Sequence, residues 1–247
     1  MEAITICVNY GDFLVHTLPH NKKHFNNYIV VTSTTDTFTK KVCDFYEVKC
    51  LQTDVFFQND DIFNKGKGIN EGLKYLKLDR WTVHVDADIF LFPNFNTILK
   101  GANLDSKSLY SIDRLMCNSY EDWEEFISNP MNIYDGITDK FKIGTRLINQ
   151  KDKGYLPLGY FQLWHPKMSK VFKYPENHDK ADYTDLEFSN NWSRDNRKLI
   201  PDMFVVHLDS KKSSMGENWC GRNTPIFGKS KMNFIKNNKR EKNSYEK

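Results

Sequence analysis

The sequence predicts an α/β fold with a mostly parallel central sheet flanked by helices, on three observations. Short β-branched or aromatic runs alternate with segments of helical spacing. The most apolar run, Arg80 to Pro93, delivers two carboxylates, Asp86 and Asp88, at the end of its strand. The 247 residues, 39% hydrophobic and 27% charged, are enough to bury a full core, and α/β chains of this size are often single units.

The elements follow in order. Ala3 to Val8 is a β-branched strand closed by the turn signal Asn9, Tyr10, Gly11. Phe13, Leu14, Leu18 and Phe25 recur at roughly helical spacing, with Pro19 shaping or interrupting the helix. Tyr28 to Ser33 is a second strand, and Thr34, Thr35, Asp36 reads as the N-cap of a helix carrying Phe38, Val42 and Phe45. Val48 to Leu51 is a third strand, followed by a loop to Phe63 and a helix from Lys67 to Leu76. Beyond Pro93 the alternation weakens. Ser108 to Ile112 reads as a strand, Tyr120 to Ile127 as an acidic helix and Asn129 to Lys153 as a mobile loop or small subdomain. Gly159 to Trp164 is a strand, Asp182 to Trp192 has helical spacing, and Phe204 to Leu208 is a last buried strand. Residues 1–228 are expected to form one domain and 229–247 a basic tail.

Charge and cysteine usage narrow the class. The net charge of +3 is weak support for a polyanionic partner. The last 19 residues, however, hold seven basic against two acidic side chains, a local +5. Glu2 and the short run behind it do not make a signal peptide, and no apolar run reaches membrane-spanning length, so a cytoplasmic location is expected. Five cysteines without a C-x-x-C pair read as reduced core residues rather than a zinc site.

Parallel strands joined by right-handed crossovers set their carboxyl ends along one edge, where ligands of open α/β sheets bind. Asn9-Tyr10, Thr32 to Asp36 and Asp86 to Asp88 should meet there. With a side-chain period of two, Asp86 and Asp88 face the same way, and two like charges in an apolar strand need a cation or donors to offset desolvation. A hard divalent ion, Mg²⁺ or Mn²⁺, with a substrate phosphate is the natural occupant; the plain alternative is one exposed Asp and one capping a turn. No other apolar run carries charge in this way. Lys65 and Lys67 compete for a phosphate at the Gly-rich start of their helix, each with the alternative of a solvated surface lysine. Arg222, in a short polar loop, is a second phosphate candidate, and Tyr10 is a stacking or a core aromatic.

The strand carrying Asp86-Ala87-Asp88, preceded by Phe63-Asn-Lys-Gly-Lys-Gly-Ile-Asn-Glu-Gly-Leu73, resembles the GT-A (Rossmann-like) nucleotide-sugar glycosyltransferases, in particular family-2-like bacterial and phage enzymes. The likeness extends through Asn9-Tyr10, Val30 to Ser33, Gly159 to Gln162 and His207 to Arg222. It implies a nucleotide-sugar donor, UDP-linked in the first instance, and Mn²⁺ or Mg²⁺ as cofactor. Asp88 would bind the metal, Asp86 the ribose or a metal-bound water, and His207 would be a third metal ligand, which favours Mn²⁺. Asn9, Tyr10 and Asp36 would grip the nucleoside, and Asp185 would take the acceptor's proton in an inverting reaction. The Glu-Asp and Gln-x-x-Arg-Trp motifs of family 2 are not plainly present, which opens the stereochemistry. The acceptor is a glycan, a small molecule or a modified DNA base. A phage-type DNA glycosyltransferase acting on hydroxymethylated pyrimidines is one alternative, permitted by the basic tail. A nucleotidyltransferase or non-catalytic nucleotide-binding domain is another, although no G-x-G-T-R-L opening follows the first strand.

Overall fold

A computed structural model describes residues 1–129, 141–208, 222 and 226–228. The first half is the expected alternation. Strands β1 (Glu2–Ile6), β2 (Asn27–Thr32), β3 (Lys49–Gln52) and β4 (Thr82–Val85) are parallel, in the spatial order β3-β2-β1-β4. Between them run helices α1 (Gly11–Asn21), α2 (Thr37–Phe45) and α3 (Lys65–Leu73). Pro19 lies inside α1 without ending it. Its ring nitrogen cannot donate to the Val15 carbonyl, which instead faces the Tyr46 hydroxyl at 3.5 Å. Asp36 caps α2 as expected, accepting from Thr39 N at 3.1 Å. Helix α3 begins two residues earlier than its apolar spacing suggested, because Asn64 caps it by accepting from Lys67 N.

The second half mixes strand directions. It comprises β5 (Ile89–Leu91), α4 (Phe95–Gly101), β6 (Leu109–Cys117), α5 (Tyr120–Ser128), β7 (Lys142–Ile143), β8 (Leu147–Ile148), β9 (Tyr155–Leu156), β10 (Phe161–Trp164), α6 (Pro166–Ser169), α7 (Thr184–Ser189) and β11 (Arg197–Leu208). Among the described residues the sheet has nine strands and continues from β4 through β10, β6 and β11 to β5, with β7 beside β6, while β8 and β9 form a separate pair. β10 is antiparallel to β4 and β6, β11 parallel to β6, and β5 antiparallel to β11. The anticipated α/β class, a large central sheet flanked by helices, is the one observed.

The path of the chain forces this sheet to curl. Four inter-strand steps of about 4.8 Å separate β4 from β5, so a flat sheet would hold them about 19 Å apart. Val85 and Ile89 are joined by only four Cα–Cα steps of ~3.8 Å, too few for that span. The sheet therefore bends until β5 comes back beside β4, and residues 86 to 88 form the seam. The sequence placed Asp86 and Asp88 at the end of a strand; β4 ends at Val85, a second strand begins at Ile89, and the pair occupies the turn between them. Helix α1 closes the seam from outside: Thr17 Oγ1 donates to Ala87 O (2.7 Å), and the Asn21 amide both donates to Ile89 O (2.7 Å) and accepts from Leu91 N (2.9 Å). Asn21 thus satisfies the free edge of β5 as a neighbouring strand would.

Three buried apolar clusters hold the layers. Leu14, Leu18 and Val42 pack with Val30, Val83 and Leu163; Ile69 and Leu73 pack with Ile4, Val31 and Phe188; Trp123 and Phe126 pack with Phe90 and Val206. Several elements differ from the sequence reading. β5 and α4 were not anticipated. β6 runs on to Cys117 and buries Asp113 and Arg114, so the Asp86-Asp88 run is not alone in carrying charge through an apolar strand. β11 begins at Arg197, and a register shift between Leu199 and Phe204, around Pro201 and the positive φ of Asp202, hid its continuity. Within the segment read as a mobile loop or subdomain, residues 142–148 contain β7 and β8, and 130–140 lie outside the described residues. The basic tail 229–247 and Cys220 lie outside them too; Cys7, Cys43, Cys50 and Cys117 are free thiols. Among the described residues no helix is long and apolar enough to cross a membrane.

Candidate functional site

Four segments distant in sequence bring titratable side chains to the seam. The start of α3 supplies Lys65, whose ammonium donates to Asp86 Oδ1 at 2.7 Å. The turn after β4 supplies Asp86 and Asp88, and β11 supplies His207, with Nε2 3.3 Å from Asp88 Oδ2. Backbone pairing fixes this last approach, since Leu208 N donates to Asp88 O at 2.9 Å and His207 stands opposite Ile89. Asp185, in the first turn of α7, is near enough for its charge to act on Lys65.

Electrostatics sort the two carboxyls. Burial pushes Asp86 above the usual carboxylate range, against the opposing pull of Lys65, and the charge of Asp88 adds to the rise. Burial would also raise Asp88, but the adjacent His207 ring, its own backbone N–H and the Lys65 ammonium together outweigh it and hold the group below its ordinary value. For Lys65, burial alone would weaken proton binding; Asp86 overrides that, with smaller help from Asp185 and Asp88, and the ammonium is held above the usual lysine range. The two lysines face different carboxylates. Lys67 pairs with Asp61 at 2.5 Å, away from the seam. The glycine after Lys65 is not left open for a phosphate: a Cβ on Gly66 would land on the Pro175 carbonyl oxygen, so that residue serves close packing at the start of α3.

Asp185 is anchored rather than free. Its Oδ2 accepts from Gly159 N at 2.5 Å and its Oδ1 from Leu186 N at 3.0 Å. A Cβ on Gly159 would stand 2.8 Å from the Asp185 Cβ, which explains a glycine there. Gln162 secures the helix, donating to Asp185 O (3.0 Å) and Pro157 O (2.9 Å) while accepting from the Tyr174 hydroxyl (2.7 Å).

The remaining candidates form a second cluster on the same edge of the sheet. Asn9 follows β1 in a left-handed conformation (φ 60°), and its N–H donates to Asp36 Oδ2 at 2.6 Å. Asp36, almost fully buried, also accepts from Thr32 Oγ1 at 3.0 Å and caps α2. Arg222 does not stand free for a phosphate: its guanidinium grips both oxygens of buried Asp12, donates to Asn9 O at 2.9 Å and lies 4.9 Å over the Tyr10 ring. Asn9 is the exposed part of this cluster, Tyr10 is half-buried between Arg222 and Phe13, and Asp36 and Arg222 brace it. Of the segment 209–221, including Asn218 and Trp219, nothing lies within the described residues.

Two polar residues beside the carboxyls escaped the sequence reading. His84 is buried on β4, two positions before Asp86, with Nε2 3.5 Å from Asp86 Oδ1 and both ring nitrogens without hydrogen-bond partners. Burial first, and Lys65 second, press its pKa well below the usual histidine value, so it is neutral. The i, i+2 relation to Asp86 was the available signal. Arg114, on β6, places Nη1 3.2 Å from His207 Nδ1 and lies 4.6 Å over the Tyr160 ring. Its signal was an Asp-Arg pair inside an apolar run.

The donor set fits a hard cation in part. Asp88 Oδ1 is buried and has no hydrogen-bond partner, which a cation would answer. Among the described residues, no three His, Cys, Asp or Glu side chains are grouped so as to hold a metal by themselves. An ion here would complete its shell with water and phosphate oxygens, as Mg²⁺ and Mn²⁺ commonly do.

No family model and no curated protein matches the chain. Solved structures do. A glucosyl-3-phosphoglycerate synthase from Mycobacterium tuberculosis, in complex with Mn²⁺, UDP and glucosyl-3-phosphoglycerate, aligns over 97% of this chain and 75% of its own, with TM-score 0.51 and 10% identity. A mycobacterial protein aligns over 91% and 68%, with TM-score 0.51 and 11% identity. The inositol-1-phosphate CTP transferase from T. maritima aligns over 85% and 89%, with TM-score 0.48 and 13% identity. At such identities the likeness is one of fold: this chain has the curled, helix-flanked sheet of the GT-A-like enzymes.

Proposed function

We propose that the chain is a metal-dependent glycosyltransferase that draws on a nucleotide sugar, UDP-linked in the first instance. The observation that carries the reading is the seam itself, where two half-buried carboxyls from one turn meet a half-buried ammonium and one oxygen, Asp88 Oδ1, is buried and unpaired. Such a cluster outside the carboxyl ends of parallel strands lies where open α/β sheets bind ligands. A solved structure of the same fold holds Mn²⁺ and UDP, which supports the choice of donor.

Asp86 and Asp88 would hold Mn²⁺ or Mg²⁺, and the bound ion would supply Lewis-acid neutralisation of the leaving diphosphate. The Lys65 ammonium, held charged beside Asp86, would add a second positive group on the diphosphate side. The Asn9-Tyr10 turn, with Asn9 exposed and Tyr10 half-buried, would meet the nucleoside, with Asp36 and Arg222 keeping its shape. Asp185 would accept the proton of the acceptor hydroxyl in an inverting transfer; a carboxylate holding two N–H groups retains lone pairs for that proton. Residues 1–228 would be the catalytic unit.

A panel of nucleotide sugars incubated with the protein and Mn²⁺ tests the reading through slow donor hydrolysis. Release of nucleoside diphosphate from one donor, abolished by EDTA and by Asp88→Asn, is the expected result. Undiminished release from Asp88→Ala in EDTA would overturn it, and release of pyrophosphate from a nucleoside triphosphate would move the protein to nucleotidyl transfer.

A further inference from the structure

His207 was expected to be a metal ligand, and the residue behind it points to a different role. A guanidinium can only donate hydrogen bonds, so the contact between Arg114 Nη1 and His207 Nδ1 at 3.2 Å makes Nδ1 the acceptor. In the neutral ring the proton then sits on Nε2, the nitrogen that faces Asp88 Oδ2 at 3.3 Å. A protonated ring nitrogen has no lone pair for a metal. Moving the proton to Nδ1 would oppose two donors in a buried place, where an unmatched polar group is expensive.

Arg114 is built to stay where it is. Only 8% exposed, it stacks on Tyr160, whose hydroxyl is tied to Ile112 O at 2.5 Å and whose ring lies nearly parallel to that of His207, 15° between planes. The pairing of β11 with β6 and β5 fixes the imidazole between Arg114 and Asp88. The two oxygens of Asp88 are unequal: Oδ2 lies 3.3 Å from the imidazole Nε2, and Oδ1 is the buried oxygen with no partner.

We propose that Arg114 and His207 are positioning residues: Arg114 fixes the His207 tautomer, His207 donates to Asp88 Oδ2, and Oδ1 alone is presented to a divalent cation in an all-oxygen site. The proposal rests on the metal-site reading given above, and its test separates the two. Nitrogen-15 NMR of the metal-free, uniformly labelled protein, with the His207 signals assigned by their loss in His207→Gln, should show Nε2 protonated and Nδ1 bare. The opposite pattern would overturn the proposal whatever the metal does.

Mn²⁺ titrations monitored by electron paramagnetic resonance then compare the wild type with two variants. His207→Gln offers an amide N–H near the Nε2 position and should keep affinity within about threefold, whereas His207→Ala should lose about tenfold or more, as losses of groups that orient a metal ligand do. If Gln and Ala lose affinity equally, His207 is a ligand and the proposal fails while the metal reading stands. If the wild type takes up no Mn²⁺, the metal reading fails, and with it the purpose assigned here to the hydrogen bond.

Discussion

Lys65 Nζ and Asp86 Oδ1 are 2.7 Å apart, the ammonium 16% and the carboxylate 28% exposed, so helix α3 and the β4–β5 turn are joined by a half-hidden ion pair. Removing one partner of such a pair strands the other. Lys65→Met should destabilise the protein by about 1–3 kcal/mol, less than a fully buried pair would lose because Asp86 keeps some contact with water. Adding Asp86→Asn to it should restore at least half of the loss. Urea unfolding of the two single variants and the double variant measures this coupling, and additive effects would show that the pair is energetically idle.

Gly159 leaves no room for a side chain against Asp185. Gly159→Ala should cost about 1–3 kcal/mol in stability, the usual penalty for overpacking. Because it shifts Asp185, transfer to an acceptor should fall by about a hundredfold, the order expected when a reacting group is misplaced by an ångström. Asp185→Asn in the same transfer assay sets the scale; a Gly159→Ala enzyme with unaltered turnover would mean that Asp185 does not touch the reaction.

Asp36 answers three donors at once: Asn9 N, Thr32 Oγ1 and Thr39 N. An N-cap is worth about 0.5–2 kcal/mol, and a buried N–H left unpaired costs a further 1–3 or so. Asp36→Ala should therefore lose about 2–4 kcal/mol in chemical denaturation, with Asp36→Asn recovering part of it. A loss below roughly 0.5 kcal/mol would show that solvent replaces these bonds, as it does for ordinary surface substitutions.

His16 packs against Tyr120, Trp123 and Phe227, and burial lowers its pKa to about 4, with Asp12 and Glu124 opposing the fall. Between pH 6.5 and about 4 the unfolded chain therefore binds a proton that the folded chain does not, and stability falls as pH falls through that window. Between pH 7 and 5 the loss assignable to His16 is on the order of 2 kcal/mol. His16→Gln should flatten this part of the stability profile; an unchanged slope would assign it to other groups.

Local chemistry was legible in the sequence. The β1 and β2 strands, the Asp36 cap and the α5 helix followed from β-branching, capping residues and spacing, because each depends on neighbours a few positions away. The Asp86-Asp88 turn stood out as charge inside an apolar run. What the sequence could not show was contact at long range. That Arg114 meets His207, or that Asn21 serves β5, depends on how the sheet curls, and periodicity within one strand carries no information on that. β11 was legible only after its irregularity, since Pro201 and Asp202 break the pattern on which a strand is recognised.

The seam has a consequence for how the protein is made. β5 is synthesised early but finds its strand partner, β11, only after the remainder of the sheet has emerged. Until then one side of β5 and one side of β6 offer unsatisfied backbone to any extended segment, native or foreign. A ribosome stalled before Arg197 would release a chain with its acid pair made and β11 missing. Such a product is a natural client for chaperones and a seed for aggregates, so yield in a cell should depend more on the speed of completing synthesis than on the stability of the finished fold.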